Sequence, residues 1–432
     1  MGFRARWVLV ALLALVAGQS ERAEGVLPQV RVGLVQERET VAFSGPAGVT
    51  VEDLRGGVVI GWTPPGQVWQ VRVEQSGPRL VDEAGSQMGL VEGGVRLLPP
   101  EGGVVTLCGI GGHWDGISDR SYRGAIEIVR GPGALLAAVN VVDIETYLRG
   151  VVPSEMPPSY PLAALQAQAV AARGQALTKA GRHREDGFDL CAGQHCQVYG
   201  GATSEDPRSD EAVASTYGEV LVYDGQLADT LYSSNCGGHT ANNEDYWPQQ
   251  RPVPYLRGQP DFQAEVNLEF PLSEEQLGQY LKYAPRVNCN QPQYAKGDKI
   301  RWWLVMSRED LERRLREAEV GKFGDLLGVR VTDRAESGVV REVAVIGTRR
   351  LVRVRGGAEI RRALGKLNSA SFAVEPIKDK EGLPVAYVIW GAGWGHQVGM
   401  CQVGAGGLAD EGWDYRRILA KYYLGCEVAR RY

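Results

Sequence analysis

The stretch Tyr147-Leu148-Arg149-Gly150-Val151-Val152-Pro153-Ser154-Glu155-Met156-Pro157 is followed closely by Pro161-Leu162-Ala163-Ala164-Leu165-Gln166-Ala167-Gln168-Ala169-Val170-Ala171-Ala172-Arg173. The second run is rich in alanine, carries Pro161 where a first turn accepts it, and meets Gly181 just past its end. It predicts a helix from about Pro161 to Lys179, with side chains small enough for close packing. Before it, Leu135 to Val142 reads as a strand, and Asp143 to Leu148 as a single helical turn entering a loop punctuated by Pro153, Pro157 and Pro158. On that reading Glu155 sits near a helix N-terminus, where the dipole favours a charged carboxylate.

Upstream, from Val30 to about Val129, short alternating runs such as Val30-Arg31-Val32-Gly33-Leu34 and Val71-Arg72-Val73 are separated by Gly/Pro clusters, the pattern of a β-rich region. Downstream, residues 183 to 260 read as loops and short strands. Ser307 to Val320 is a charged helical stretch, strands return between Val329 and Val354, and a last helix covers about Tyr415 to Tyr423. The expected class is therefore α+β. A β-rich part at 21–130 precedes a mixed region at 131–432, with a β-rich insertion around 289–385.

With 432 residues, 56 of them glycine, and ordinary apolar and charged fractions, the chain can bury at least one large core. Its net charge of −5 and the lack of a long basic block exclude the electrostatic footprint of a general nucleic-acid binder. Arg4 and Arg6 precede the apolar run Trp7 to Ala17, which gives way to small and polar residues. This reads as a signal peptide over about residues 1–20, or as an uncleaved anchor, and either places the remainder in the cell envelope, periplasmic or extracellular. In an oxidising compartment an odd count of seven cysteines leaves at least one thiol unpaired, metal-bound or intermolecular.

The Tyr147–Pro157 segment and the helix after it resemble the signature of the SpoIID/LytB family. Further segments extend the resemblance in one order: Tyr122-Arg123-Gly124, Ala171-Ala172-Arg173, His195-Cys196-Gln197-Val198-Tyr199, Ser233-Ser234-Asn235-Cys236-Gly237-Gly238-His239-Thr240, Gly393-Trp394-Gly395-His396-Gln397-Val398-Gly399-Met400 and Ile418-Leu419-Ala420-Lys421-Tyr422-Tyr423. The family includes sporulation lytic transglycosylases, which cut glycan strands stripped of stem peptides, and proteins described as enhancers of cell-wall amidases. The resemblance implies peptidoglycan remodelling, a substrate cleft around the motif and Glu155 as the catalytic carboxylate. Chemistry agrees: a glycosidic oxygen needs a proton, and a carboxylic acid with a raised pKa supplies one near neutral pH. Because the sugar's own 6-hydroxyl can be the nucleophile, no second carboxylate and no cofactor is required.

Four further features are candidates. Arg173 is expected to bind sugar hydroxyls or steady a carboxylate, against the plainer reading of a cation near a helix C-terminus. Trp394 and His396, in a Gly-rich loop, suit sugar binding or core packing; here Gln397 stands at a usual family glycine and Cys401 at a usual serine. His183, Cys191, His195 and Cys196 offer a tetrahedral structural zinc set, a disulfide between Cys191 and Cys196 being the alternative. Cys236-Gly237-Gly238-His239 invites a nucleophile reading, but its glycines better suit a tight turn lining a groove. Peptidoglycan glycan strands are the expected ligand, with a cell-wall amidase as partner in the alternative, non-catalytic reading. A peptidase is disfavoured because no HExxH motif occurs.

Overall fold

The computed structural model describes residues 27–432 except 75–76, 92, 112–115, 132, 264–267 and 296–298. The proposed export segment lies outside the described residues. The chain is an α+β protein with a β-rich N-terminal part. Its first two sheets have seven and six strands. Alternating burial along strands such as Thr40–Ser44 sends one face inward. Val32, Val51, Leu97 and Ile126 of the larger sheet share one core with Phe43, Val71, Leu80 and Leu107 of the smaller.

The larger sheet does not stop at residue 130. Strand Leu136–Asp143 pairs antiparallel with Gln29–Arg38 on one side and with Ala125–Arg130 on the other. Gln29–Arg38 also takes a parallel partner, Leu190–Cys191, with Gly33 opposite Cys191. Gly33 must lack a side chain, since a Cβ there would lie 2.5 Å from the Phe188 ring. The N-terminal sheet thus reaches directly into the motif region and fixes one edge of the cysteine loop.

After Asp143 the chain forms a full helix, Ile144–Glu155, instead of the single turn and loop expected. Asp143 caps it, accepting from the Thr146 N–H at 2.9 Å. Pro153 lies inside and deprives one carbonyl of its donor, yet Tyr147, Leu148, Val151 and Val152 form a face with no solvent exposure. Burial of that face outweighs the proline penalty. The alanine helix, Leu162–Lys179, is buried nearly all round, as its composition suggested.

A second core forms from residues 302 to 389, where helices Arg308–Glu317 and Gly357–Ala363 cover two three-stranded sheets. Back in the first core, a short parallel pair, Tyr232–Ser233 with Met400–Cys401, brings two distant motif loops together beside helix Gln402–Asp410. No described helix is long and apolar enough to cross a membrane.

Candidate active site

Glu155 is the last residue of its helix, so the dipole expectation reverses: a helix C-terminus disfavours the carboxylate anion. Its side chain keeps partial exposure while protein packs around the carboxyl group. Oε1 accepts the Val198 N–H at 2.7 Å, and Gln402 Nε2 donates to the Glu155 carbonyl at 3.1 Å. Burial pushes the carboxyl pKa up to about 7, against the opposing pull of the Val198 N–H and the Gln402 amide. A group balanced there can give a proton and take it back at neutral pH.

Neutral polar groups surround this glutamate. Tyr147 donates to Gln197 Oε1 at 3.2 Å, and Gln197 Nε2 donates to the Tyr232 hydroxyl at 2.9 Å. Burial, and then the nearby Glu155 carboxylate, push the Tyr232 phenol well above its usual range, so it stays protonated. Beside Glu155, a cleft of about 540 Å³ is lined by Ser154, Val198 and Tyr199 together with Leu34, Arg120 and Tyr122. Glu155 is not itself in that wall; its chain neighbour Ser154 and its hydrogen-bond partner Val198 are.

The loop that delivers Val198 begins in the predicted cysteine cluster. The ligating atoms of His183, Cys191, His195 and Cys196 all lie within 4.8 Å of one another. His183 Nε2 is 3.1 Å from His195 Nδ1, and both sulfurs are 3.9 Å from that same Nδ1. His183 Nδ1 meets Asp186 at 2.9 Å, the outer carboxylate contact that commonly orients a metal-bound imidazole. Cys191 and Cys196 are unbonded thiols. Two nitrogens and two sulfurs facing one point suit a tetrahedral ion.

Arg173 departs from the expectation of sugar binding. It has no solvent exposure; its Nε and Nη2 each donate to Glu145 at 2.8 Å, and Nη1 donates to the Glu219 carbonyl at 2.9 Å. With its donors used inside the protein, it offers a sugar nothing from this position. It steadies a carboxylate, but that of Glu145 in the first turn of the motif helix, also held by the Gly218 N–H at 3.2 Å. The plainer cation reading also misses this buried pairing.

The 393–401 loop is held tightly. Trp394 pairs through its backbone with Asn235 and stays partly exposed. His396 packs on Trp247 and Tyr246, accepts the Val398 N–H at its Nδ1 and meets the Tyr232 backbone. Burial lowers its pKa to about 4, so it is neutral at pH 7 and serves to fix the loop. Gln397 adopts φ 65°, the left-handed region a glycine would occupy freely. Its amide offsets the strain, donating to the Cys236 carbonyl at 2.6 Å and accepting from Ser371 at 2.9 Å. Cys401 caps the helix Gln402–Asp410, its sulfur accepting the Gly404 N–H at 3.3 Å.

Sequence reasoning missed Glu145, Val198 and Gln402. Only Val198 carried a signal, its place in the His195–Tyr199 motif.

Comparison with known proteins follows the same segment. Residues 133–223 match the family described as Stage II sporulation protein, SpoIID, and residues 241–399 match a domain of unknown function, DUF8618. The chain is 30% identical over 292 residues to the "Amidase enhancer" of Bacillus subtilis (strain 168), covering 64% of this chain and 39% of that protein's length. It is 27% identical to "Stage II sporulation protein D" of the same organism, over 68% of this chain and 76% of the relative. The protein of that name from Bacillus amyloliquefaciens is 28% identical over 68% of this chain and 76% of its own length. Glu155, the alanine helix and the His/Cys loop all lie inside the segment that matches the SpoIID family.

Proposed function

We propose that this protein acts in remodelling the bacterial cell wall by cutting peptidoglycan glycan strands, with Glu155 as acid and then base. The observation that carries this reading is a carboxyl group raised to about pKa 7 at a helix C-terminus, hydrogen-bonded by neutral donors. Protonated Glu155 delivers its proton to the glycosidic oxygen as the bond from the anomeric carbon breaks. The sugar's 6-hydroxyl closes onto that carbon and returns its proton to the carboxylate. The product is a 1,6-anhydro end, and no water is consumed.

The surrounding residues orient this group. Val198 and Gln402 hold the two ends of Glu155, while the partly exposed Trp394 provides an aromatic face for a sugar ring. A structural zinc bound by His183, Cys191, His195 and Cys196 would stiffen the loop whose next residues present the Val198 N–H; it supplies rigidity and takes no part in proton transfer.

The relative named as an amidase enhancer favours a second reading, a non-catalytic wall-binding partner of an amidase. The two separate experimentally. Purified protein is incubated with intact and amidase-stripped peptidoglycan, with no amidase present, and the products are weighed by mass spectrometry. Anhydro-muramic ends are expected; faster peptide release on adding an amidase, with no glycan cleavage under either condition, would favour the enhancer.

A further inference from the structure

A second set of metal-ligating side chains lies in the interior, assembled from four separate segments. Cys236 follows the strand Tyr232–Ser233, Asp261 and Cys289 come from loops, and Cys401 caps the helix Gln402–Asp410. The three sulfurs and a carboxylate oxygen all lie within 4.8 Å of one another, and none of the four residues exceeds 1% exposure. We propose that Cys236, Asp261, Cys289 and Cys401 form a closed structural site for a thiophilic divalent cation, zinc being the best fit.

The geometry suits the ion. Bonds of about 2.3 Å from a tetrahedral zinc to sulfur set neighbouring sulfurs roughly 3.8 Å apart. The Cys236 and Cys289 sulfurs are 3.7 Å apart, and the Cys236 sulfur lies 3.2 Å from Asp261 Oδ2. Asp261 divides its two oxygens as a ligand would. Oδ1 accepts from Asn288 at 3.0 Å and from Tyr422 at 3.1 Å, leaving Oδ2 turned towards the thiols. Cys401 sulfur receives the N–H groups of Cys236 at 3.2 Å and Gly404 at 3.3 Å, contacts that stabilise a metal-bound thiolate. Gly404 leaves the room needed, because a Cβ there would come within 2.4 Å of Asp261 Oδ2.

Charge gives the second argument. A fully buried carboxylate beside three thiols is costly unless compensated, and Lys421, at 3.8 Å from Asp261 Oδ1, is the nearby cation. A divalent ion would replace the three thiol protons and hold the resulting thiolates and the carboxylate by its own charge. Four protein ligands leave no open position, so the site is structural. It ties the 232–241 segment and the Asp261 and Cys289 loops to the start of the helix bearing Gln402, the residue that touches Glu155.

The test needs no glycan cleavage and stands apart from the proposed function. Full-length protein purified without chelator should contain about two zinc ions per chain, the number required by two four-ligand sets. Cys191→Ser/Cys196→Ser should lower the count to about one, and Cys289→Ser should do the same from the other site. Should a variant fail to fold, X-ray absorption on the unaltered protein decides, since five sulfurs over two ions give an average of about 2.5 per zinc, against two for the His/Cys site alone. Peptide mapping that finds Cys236 and Cys289 joined, or a zinc count unchanged by Cys289→Ser in folded protein, overturns the proposal.

Discussion

Replacing Glu155 by glutamine should make the protein more stable, and only at high pH. The amide oxygen of glutamine can still accept the Val198 N–H, so the packing is retained. The carboxyl pKa rises from 4.5 to about 7 on folding. A raised acid pKa means that the folded state holds its proton more tightly. The associated stability is fully present below pH 4.5 and is lost as pH rises through 7. At about 1.4 kcal/mol per unit, ionised Glu155 costs the wild type roughly 3 kcal/mol by pH 9. Urea unfolding of both proteins at pH 4.5 and pH 9 should therefore show near-equal stability at the lower pH and an advantage of about 3 kcal/mol for Glu155→Gln at the higher. The same difference at both pH values would refute a carboxyl group destabilised by its surroundings, and with it the physical basis for acid catalysis.

Arg173→Met should cost about 3–5 kcal/mol by leaving the buried Glu145 without its cation, with much of the loss recovered in Glu145→Gln/Arg173→Met. Denaturant midpoints check this, and a stable single variant with weak glycan binding would restore Arg173 to the substrate surface. Gly150→Ala should destabilise by about 1–3 kcal/mol, because the new methyl meets the Tyr199 ring at 2.6 Å; an unchanged melting temperature would contradict that contact. Gln402→Leu removes a group that holds the Glu155 pKa down, so the alkaline limb of the pH–rate profile should move to higher pH, and a shift the other way would count against the assignment.

What the sequence showed well was local. Alanine composition located the helix Leu162–Lys179, and the short interval from His183 to Cys196 marked four side chains whose nitrogen and sulfur atoms the fold brings within 4.8 Å of one another. Glu155 stood out from its motif, but its electrostatics were misread, since one proline was given more weight than the apolar residues Tyr147, Leu148, Val151 and Val152, whose burial carries the helix through Pro153. Arg173 was read as a ligand for sugar hydroxyls or a support for a carboxylate, because a guanidinium suits both. Its partner, Glu145, lies 28 positions away and no pattern joins them. The Cys236, Asp261, Cys289 and Cys401 set was invisible for the same reason: it has no short spacing and exists only once four segments meet. The strand Leu136–Asp143 shows the same limit, since alternation identifies a strand but not the sheet it completes.

The central claim is that one glutamate performs both proton transfers, and the most direct test is the chemical nature of the newly made glycan end. Wild-type protein and folded Glu155→Gln are each given amidase-stripped peptidoglycan, and the fragments are examined by mass spectrometry. The wild type is predicted to leave 1,6-anhydro-muramic ends and Glu155→Gln to leave none. Reducing ends from hydrolysis, or anhydro ends formed equally by Glu155→Gln, would contradict it.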